Sequence, residues 1–331
     1  MLKGSRKSTS LVLVLGLAWA FLITSIGTTL ALDMETYPNG AEAFMVGAAP
    51  PPGLTYVNYF YFYSADELKD SDGDDSKQLD NITVYGEVAR FIWISKKKFF
   101  NANYGQHFFI LLVDADLDLN GPAGPNGGDE YHDTDIPYFI WSPMLLTWHL
   151  MGGKLHTVLD IADIYIPLYN QDDDNFMSLG RNYWTIEPVF AITYMPTPAW
   201  EFSAKLMYDF NTRQEDYSPG PPVKIDRTPG QDFHMDFNVS YGLNPNLRVG
   251  LSGYYYRQVT NDKFHGTDKY PAPLKAALDT IEGEQGQVWA LGPGIWYRHG
   301  KIMATLRSQF EFEAKNHPEG YNVWFKLIYP F

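Results

Sequence analysis

The chain has 331 residues, no cysteine and a formal charge of −14. The missing cysteines exclude a disulfide framework, a cysteine-bearing metal centre and a lipid anchor on cysteine. The acidity disfavours nucleic-acid partners, because it repels phosphate.

Aromatic residues are in excess, with 23 Tyr, 21 Phe and 9 Trp. Aromatic girdles at both interfaces of a membrane barrel would use many of them, and so would the core of a soluble β-sandwich. The slightly negative mean hydropathy does not separate the two, because barrel strands alternate outward apolar with inward polar residues.

Residues 1–31 read as a cleaved secretory signal. Lys3, Arg6 and Lys7 form the basic region, Leu11 to Ile26 the apolar region, and Thr29 and Ala31 the small residues of a cleavage site before Leu32. The competing reading is an uncleaved anchor over Ser8 to Leu32. Polar and small residues from Thr24 to Thr29 break the apolar run where cleavage is needed. Loss of the three basic residues, with no acid before Asp33, takes the net charge from −14 to about −17. Residues 32–53 form an extension, and 54–331 carry the strand signal.

The strand candidates, in chain order, begin with Leu54–Tyr63, then Ile82–Ile94, where Glu87 and Arg90 fall on opposite faces and imply a bulge or a misplaced boundary. Tyr104–Asp116, Ile136–Leu150, Leu155–Pro167 and Asn182–Met195 follow, several of them alternating imperfectly. Trp200–Asn211 alternates cleanly, with Trp200, Phe202, Leu206 and Phe210 opposite Glu201, Ser203, Lys205 and Asp209. Phe233–Leu243 does the same with His234, Asp236, Asn238 and Ser240 inward. Leu247–Gln258 and Gln287–His299 are weaker. Ile302–Phe312 and Tyr321–Phe331 close the series, with Arg307, Glu311, Trp324 and Lys326 inward. Runs of about ten residues match a tilted strand crossing a bilayer, whereas soluble strands are usually about 5–6 residues long.

The twelve candidates are joined by long and short links in strict alternation. Ser64–Asn81, Leu117–Asp135, Leu168–Arg181, Thr212–Gly230, Val259–Gly286 and Glu313–Gly320 are long. Ser95–Asn103, Met151–Lys154, Pro196–Ala199, Asn244–Asn246 and Gly300 are shorter. Long outer loops and short periplasmic turns are the habit of outer-membrane barrels. The expected fold is therefore all-β, a transmembrane antiparallel up-and-down β-barrel of about 12 strands, and Phe331 supplies the aromatic C-terminus used in membrane insertion. The expected partners are outer-membrane lipid and lipopolysaccharide, the barrel-assembly machinery and a small solute.

The chain also resembles the family of outer-membrane proteins named for the meta pathway of phenol degradation. The resemblance rests on Tyr37-Pro-Asn-Gly-Ala-Glu-Ala-Phe44 followed by Pro50-Pro-Pro-Gly53. It continues through Asp135-Ile-Pro137, Ser142-Pro143, Thr147-Trp-His149, Asn182-Tyr-Trp184, Glu187-Pro188 and Tyr208-Asp-Phe-Asn211, then Tyr217-x-x-Gly220, Gly253-Tyr254 and Gln258-x-x-x-Asp262. It covers most of the mature chain; the loop Ser64–Asn81 and the segment Ala115–Tyr131 do not match. It implies a channel in the bacterial outer membrane that passes hydrophobic or aromatic compounds.

The candidate pore-lining residues are Lys205, Asp209, His234, Asp236, Arg248, Tyr254, Arg307, Glu311, Trp324 and Lys326, which would pair as charges and offer aromatic faces to a solute, or would simply fill the barrel. The stiff run Pro50, Pro51, Pro52 and Gly53 is the candidate plug, with a periplasmic tail as the alternative. Acidic outer loops (Asp70, Asp72, Asp74 and Asp75; Asp129, Glu130, Asp133 and Asp135; Asp172 to Asp174) match no EF-hand spacing, and no metal or cofactor is expected. Leu274–Ile281 is the candidate for a short capping helix in the fifth outer loop. No enzyme is expected: there is no H-E-x-x-H, and Gly250-Leu-Ser252-Gly253 lacks the nucleophile-elbow spacing. His149 and His156 could meet across a turn, without a third ligand. The leading function is passive uptake of small hydrophobic or aromatic compounds; a polar-solute porin and a structural or hydrolytic barrel are the alternatives.

Overall fold

The computed structural model describes residues 36–120, 130–168, 175, 177–220 and 223–331. The signal sequence expected at 1–31 and the acidic residues Asp129 and Asp172 to Asp174 lie outside them.

Among the described residues, twelve strands close into one antiparallel ring. These are β1 (Gly53–Lys69), β2 (Leu79–Phe99), β3 (Ala102–Leu119), β5 (Tyr138–Leu150), β6 (Leu155–Pro167), β7 (Thr185–Tyr194), β8 (Trp200–Asn211), β11 (Asp232–Asn244), β12 (Leu247–Gln258), β14 (Gln287–His299), β15 (Ile302–Lys315) and β16 (His317–Pro330). Each pairs with its neighbours along the chain, and β1 shuts the ring by pairing with β16 in the register Phe60↔Phe325 and with β2 in the register Phe60↔Glu87. Closure leaves no open edge, as a spanning sheet requires in hydrocarbon.

Facing follows parity. In β8 the side chains of Glu201, Ser203, Lys205, Met207 and Asp209 are buried inside while Trp200, Phe202 and Phe210 stand exposed on the outer wall. Leu251, Leu306, Phe310 and Phe325 continue that apolar skin around the ring, which suits lipid on the outer face. The closed ring with its apolar outer skin is the architecture of a transmembrane β-barrel. No helix among the described residues is long and apolar enough to cross a membrane; this chain crosses with strands.

Three local expectations change. The short link expected over Ser95–Asn103 is a two-residue turn, Phe100 and Asn101, at φ 50° and 61°. Two positive φ values in succession are those of the type I′ hairpin turn. The strands run on past Ile94 through an irregularity before the Lys98↔Asn103 pair, which hides the alternation at Ser95 to Lys97. Second, the bulge implied by Glu87 and Arg90 is absent, because β2 pairs without a break from Ile82 to Ile94 on both sides. Glu87 sits on the outer wall and accepts a hydrogen bond from Asn58 Nδ2 at 3.3 Å, while Arg90 faces inward.

Third, the outer loops carry structure of their own. β4 (Glu130–Asp135) extends β3 above the ring. The fourth loop folds into β9 (Gln214–Gly220) and β10 (Val223–Thr228), and the fifth adds β13 (Lys263–His265) to their sheet. Helix α1 (Ala272–Glu282) covers it, burying Leu274 and Leu278 with Val223, Ile225 and Phe264. The capping helix expected at Leu274–Ile281 lies within α1. The exposed Asp70 carboxylate accepts the backbone N–H groups of Asp72 and Asp74, a turn of its own making.

The β3–β4 extension lies outside the membrane and contains a titrating contact. His132 Nδ1 is 2.8 Å from Asp116 Oδ1, and that hydrogen bond, with the nearby charges of Asp116, Asp114 and Asp133, raises the imidazole above its ordinary value. A raised folded pKa means the contact contributes fully below about pH 6.5 and is lost as pH rises through the raised value. The expected NMR titration midpoint of His132 is above 6.5, and Asp116→Asn should return it towards that value.

Candidate functional site: a filled lumen

The lumen is filled by the chain's own N-terminal segment. From Thr36 near the outer rim, the backbone descends through the barrel to Gly47 at the periplasmic end and then turns back into β1. The segment includes Tyr37-Pro-Asn-Gly-Ala-Glu-Ala-Phe44, and Tyr37, Ala41, Ala43 and Phe44 are buried. It has no regular secondary structure, so its polar backbone groups need partners from the wall.

The inward strand positions supply them. Asp236 on β11 accepts the Tyr37 hydroxyl at 2.6 Å and the backbone N–H groups of Gly40 and Glu42, each at 2.9 Å. Arg307 on β15 donates to the carbonyls of Gly40 and Ala41 at 2.7 and 2.5 Å. Lower down, Glu201 Oε1 accepts the Met45 N–H at 2.6 Å, and Thr193 Oγ1 accepts that of Gly47 at 2.9 Å. Near the outer end, the Tyr138 hydroxyl donates to the Thr36 carbonyl at 2.6 Å. Gly40 has a φ of 76°, and a Cβ there would collide with Gln309, so the descent requires glycine.

Glu42 is the electrostatic centre. Its Oε2 is 2.6 Å from Lys326 Nζ on β16, and its Oε1 is 2.9 Å from Arg90 Nη1 on β2 and accepts the Tyr59 hydroxyl at 2.7 Å. The segment thus places one carboxylate between two wall cations on different strands, with the Lys326 and Glu42 side chains 4% and 8% exposed.

Every candidate pore-lining residue lies inside the barrel, but most of them grip chain rather than bare an open pore. Asp236, Arg307 and Lys326 hold the segment. Lys205 Nζ lies 4.1 Å from the centre of the Tyr37 ring, and His234 Nδ1 is 2.7 Å from Asn39 Oδ1. Arg248 pairs with Glu201 at 3.1 Å near the periplasmic end. Tyr254 donates to Glu311 Oε1 at 2.5 Å, and Trp324 packs against Tyr61 with ring centres 4.3 Å apart. Asp209 faces Glu187 and Asp232. The candidate plug residues Pro50, Pro51, Pro52 and Gly53 are not what fills the lumen: Pro51, Pro52 and Gly53 are exposed below it and form the spacer into β1. A stiff extended run spans the mouth well; entry needs hydrogen-bonding groups and small residues, which the preceding stretch has.

Sequence reasoning gave no site role to Glu42, Tyr59, Arg90 or Glu201, naming Arg90 only for its face mismatch with Glu87 and Glu201 only as a position opposite the apolar face. Arg90 and Tyr59 have the inward parity of their strands; Glu42 has no such signal, since it lies outside any strand. A buried polar trio on β3 and β6, His107 with Asp160 and Asp163 at 3.0 and 2.5 Å, was likewise not anticipated. His149 and His156 do meet, with Nδ1 atoms 2.6 Å apart at the exposed periplasmic end of β5 and β6.

Between the segment and the β1–β3 wall, in the outer half of the barrel, lies a cavity of about 120 Å³. Tyr61, Tyr63, Tyr138, Tyr254 and Trp324 line it, together with Ile82, Val84, Val88 and Leu111, and Arg181, Glu311 and His317 supply polar groups. A smaller space of about 30 Å³ continues below it beside Glu42 and Phe109.

Removing Glu42 strands Lys326 and Arg90 as buried cations, which typically costs about 3–5 kcal/mol. Glu42→Ala should therefore unseat the segment and raise the planar-bilayer ion current severalfold over the wild type, and a chain lacking residues 36–47 should conduct still more.

A COG4313 outer-membrane channel from Pseudomonas putida F1 superimposes on 90% of this chain and 100% of its own, with a TM-score of 0.69 at 12% identity. Weaker likeness links the chain to a TodX deltaS2S3 mutant monoaromatic hydrocarbon channel, at a TM-score of 0.47 and 9% identity over 89% of this chain and 93% of that one. The KdgM porin in complex with disordered oligogalacturonate gives 0.38 and 7% over 83% and 99%. No curated protein matches the sequence. The profile of the family described by the MetA pathway of phenol degradation matches residues 65–327, and to that family this outer-membrane barrel belongs.

Proposed function

We propose that the barrel is an outer-membrane channel for passive uptake of small aromatic or hydrophobic molecules, which rest in the aromatic cavity above the N-terminal segment before passing it. The observation that carries this reading is the pairing of that cavity with a lumen otherwise filled. An engineered protein cavity of about 150 Å³ lined by apolar side chains takes up benzene, so about 120 Å³ suits a single small ring. Five aromatic side chains offer faces and edges for stacking, and Arg181, Glu311 and His317 stand at the border to receive a hydroxyl or carboxyl group. Family membership supports the same class of solute.

A general polar-solute porin fits less well. Asp236, Arg307 and Lys326, inward charges that would form its filter, are engaged with the segment, and Arg248 is paired with Glu201.

Val84 lines the cavity from β2. Val84→Trp should fill the space and lower uptake of labelled toluene- or phenol-sized compounds about tenfold, equivalent to about 1.4 kcal/mol, while heat-modifiable migration shows the barrel intact. Equal uptake by wild-type and gene-deleted cells across a panel of aromatics would overturn the proposal.

A further inference from the structure

Three neighbouring strands set three acids side by side inside the outer half of the barrel. Asp209 on β8 pairs directly with Asp232 on β11. On the other side of β8, the Ile186↔Phe210 pair brings Glu187 of β7 opposite Asp209. Directly opposed like charges destabilise an antiparallel pair, and here they are out of water: Glu187 and Asp209 are each 0% exposed. His234, two residues after Asp232 and also 0% exposed, completes the group.

Asp232 accepts the Tyr256 hydroxyl at 3.1 Å, whereas other atoms of the group have no hydrogen-bond partner. Both carboxylate oxygens of Asp209, Oε1 of Glu187 and Nε2 of His234 are buried and unpaired. His234 is oriented from behind: Asn39 Oδ1 is an acceptor 2.7 Å from Nδ1, so Nδ1 carries a proton and Nε2 is the ring nitrogen turned to the acids, where a metal ion would take its lone pair. A hydrogen bond that holds the far ring nitrogen and aims the near one is the outer-shell arrangement of metal-binding histidines. The ligand atoms of Asp209, Asp232 and His234 all lie within 4.8 Å of one another, and His234 Nε2 is 3.4 Å from Asp209 Oδ2. Two ligands each about 2.1 Å from a tetrahedral ion stand about 3.4 Å apart.

We infer that Asp209, Asp232 and His234, with Glu187 on the neighbouring strand beside them, form a binding site for one divalent transition-metal ion of the zinc type. One imidazole with carboxylates is a zinc-like donor set, and a nitrogen ligand argues against calcium or magnesium. The ion neutralises a rank of acids that the wall otherwise leaves facing one another, and it ties β7, β8 and β11 together beside the seated segment.

Two other groups contain the same residue types and differ in the feature that matters. In the His107, Asp160 and Asp163 trio, Arg90 Nη2 lies 2.5 Å from His107 Nδ1 and the carboxylates occupy Nε2, so no ring nitrogen is left and a guanidinium already supplies the positive charge. The Asp114, Asp116 and His132 group is exposed on the outer loops and internally hydrogen-bonded.

The test uses the folded barrel in detergent, loaded with Zn²⁺ or Co²⁺ and freed of loose ion by gel filtration. Wild-type protein should retain close to one equivalent of Zn²⁺ by mass spectrometry, and its Co²⁺ form should show the intense visible bands of a tetrahedral centre. Asp209→Asn and His234→Ala should each weaken retention at least tenfold, and His107→Ala should leave it unchanged. A wild-type barrel that retains no ion and gives no tetrahedral Co²⁺ spectrum overturns the inference, as does retention unaffected by both site variants. A protonated-carboxyl infrared band present in metal-loaded wild type and lost in Asp209→Asn would also overturn it, since the acids would then share a proton. Should both variants fail to fold, the wild-type Co²⁺ spectrum decides.

Discussion

Charges turned into a barrel must find partners, because the lumen excludes bulk water and an unpaired buried ion is costly. Here the chain meets that demand with its own N-terminal segment. Glu42 stands between Lys326 and Arg90, Asp236 collects three donors from Tyr37, Gly40 and Glu42, and Arg307 collects two carbonyls. The exchange is reciprocal. An irregular backbone could not lie buried in a barrel without side-chain donors and acceptors, and these wall charges could not lie buried without the segment. Seating of the segment is therefore driven by electrostatics, since without it these wall charges would face water in an open lumen.

The lumen is two-sided, and that sidedness leaves room for a solute. The wall of β7, β8 and β11 is polar inside, with Glu187, Lys205, Asp209, His234 and Asp236, and the segment packs against it. The wall of β1, β2 and β3 turns Tyr61, Tyr63, Val84, Val88 and Leu111 inward and binds little of the segment's backbone. The segment is drawn to the polar side, and the cavity opens where the wall has only apolar and aromatic faces to offer. Gly86, with no side chain on the inward face of β2, widens the same place.

This asymmetry also explains which parts of the fold were legible in the sequence. Trp200–Asn211, Leu155–Pro167, Leu247–Gln258 and Gln287–His299 coincide with β8, β6, β12 and β14, and in β8 lipid outside and polar lumen inside give an unambiguous period of two. Leu54–Tyr63 and Ile82–Ile94 alternated poorly because β1 and β2 are apolar on both faces, so parity has no contrast to show. Glu87 confused the reading further by lying on the outer wall beside Asn58. β9, β10 and β13 were hidden because they are three to seven residues long and exist only through pairing between two loops. The filling of the lumen was expected from the extension but assigned to its prolines. No periodicity marks an irregular segment held largely by side chains of distant strands, and the Tyr37 to Phe44 motif entered the sequence reading only as a family resemblance.

His234 joins the two halves of the interior. Its Nδ1 proton is fixed by Asn39 of the segment, and its Nε2 faces Asp209. A neutral imidazole has one donor and one acceptor nitrogen, so whichever group claims one nitrogen dictates what the other can do. With Asn39 seated, Nδ1 is held and Nε2 is the nitrogen left to face Asp209. With Asn39 withdrawn, the ring would be free to place its proton on Nε2 and donate to Asp209. The state of the acids is thus coupled to the position of the segment through a single side chain. The coupling runs through one ring, which touches the segment with one nitrogen and the acids with the other.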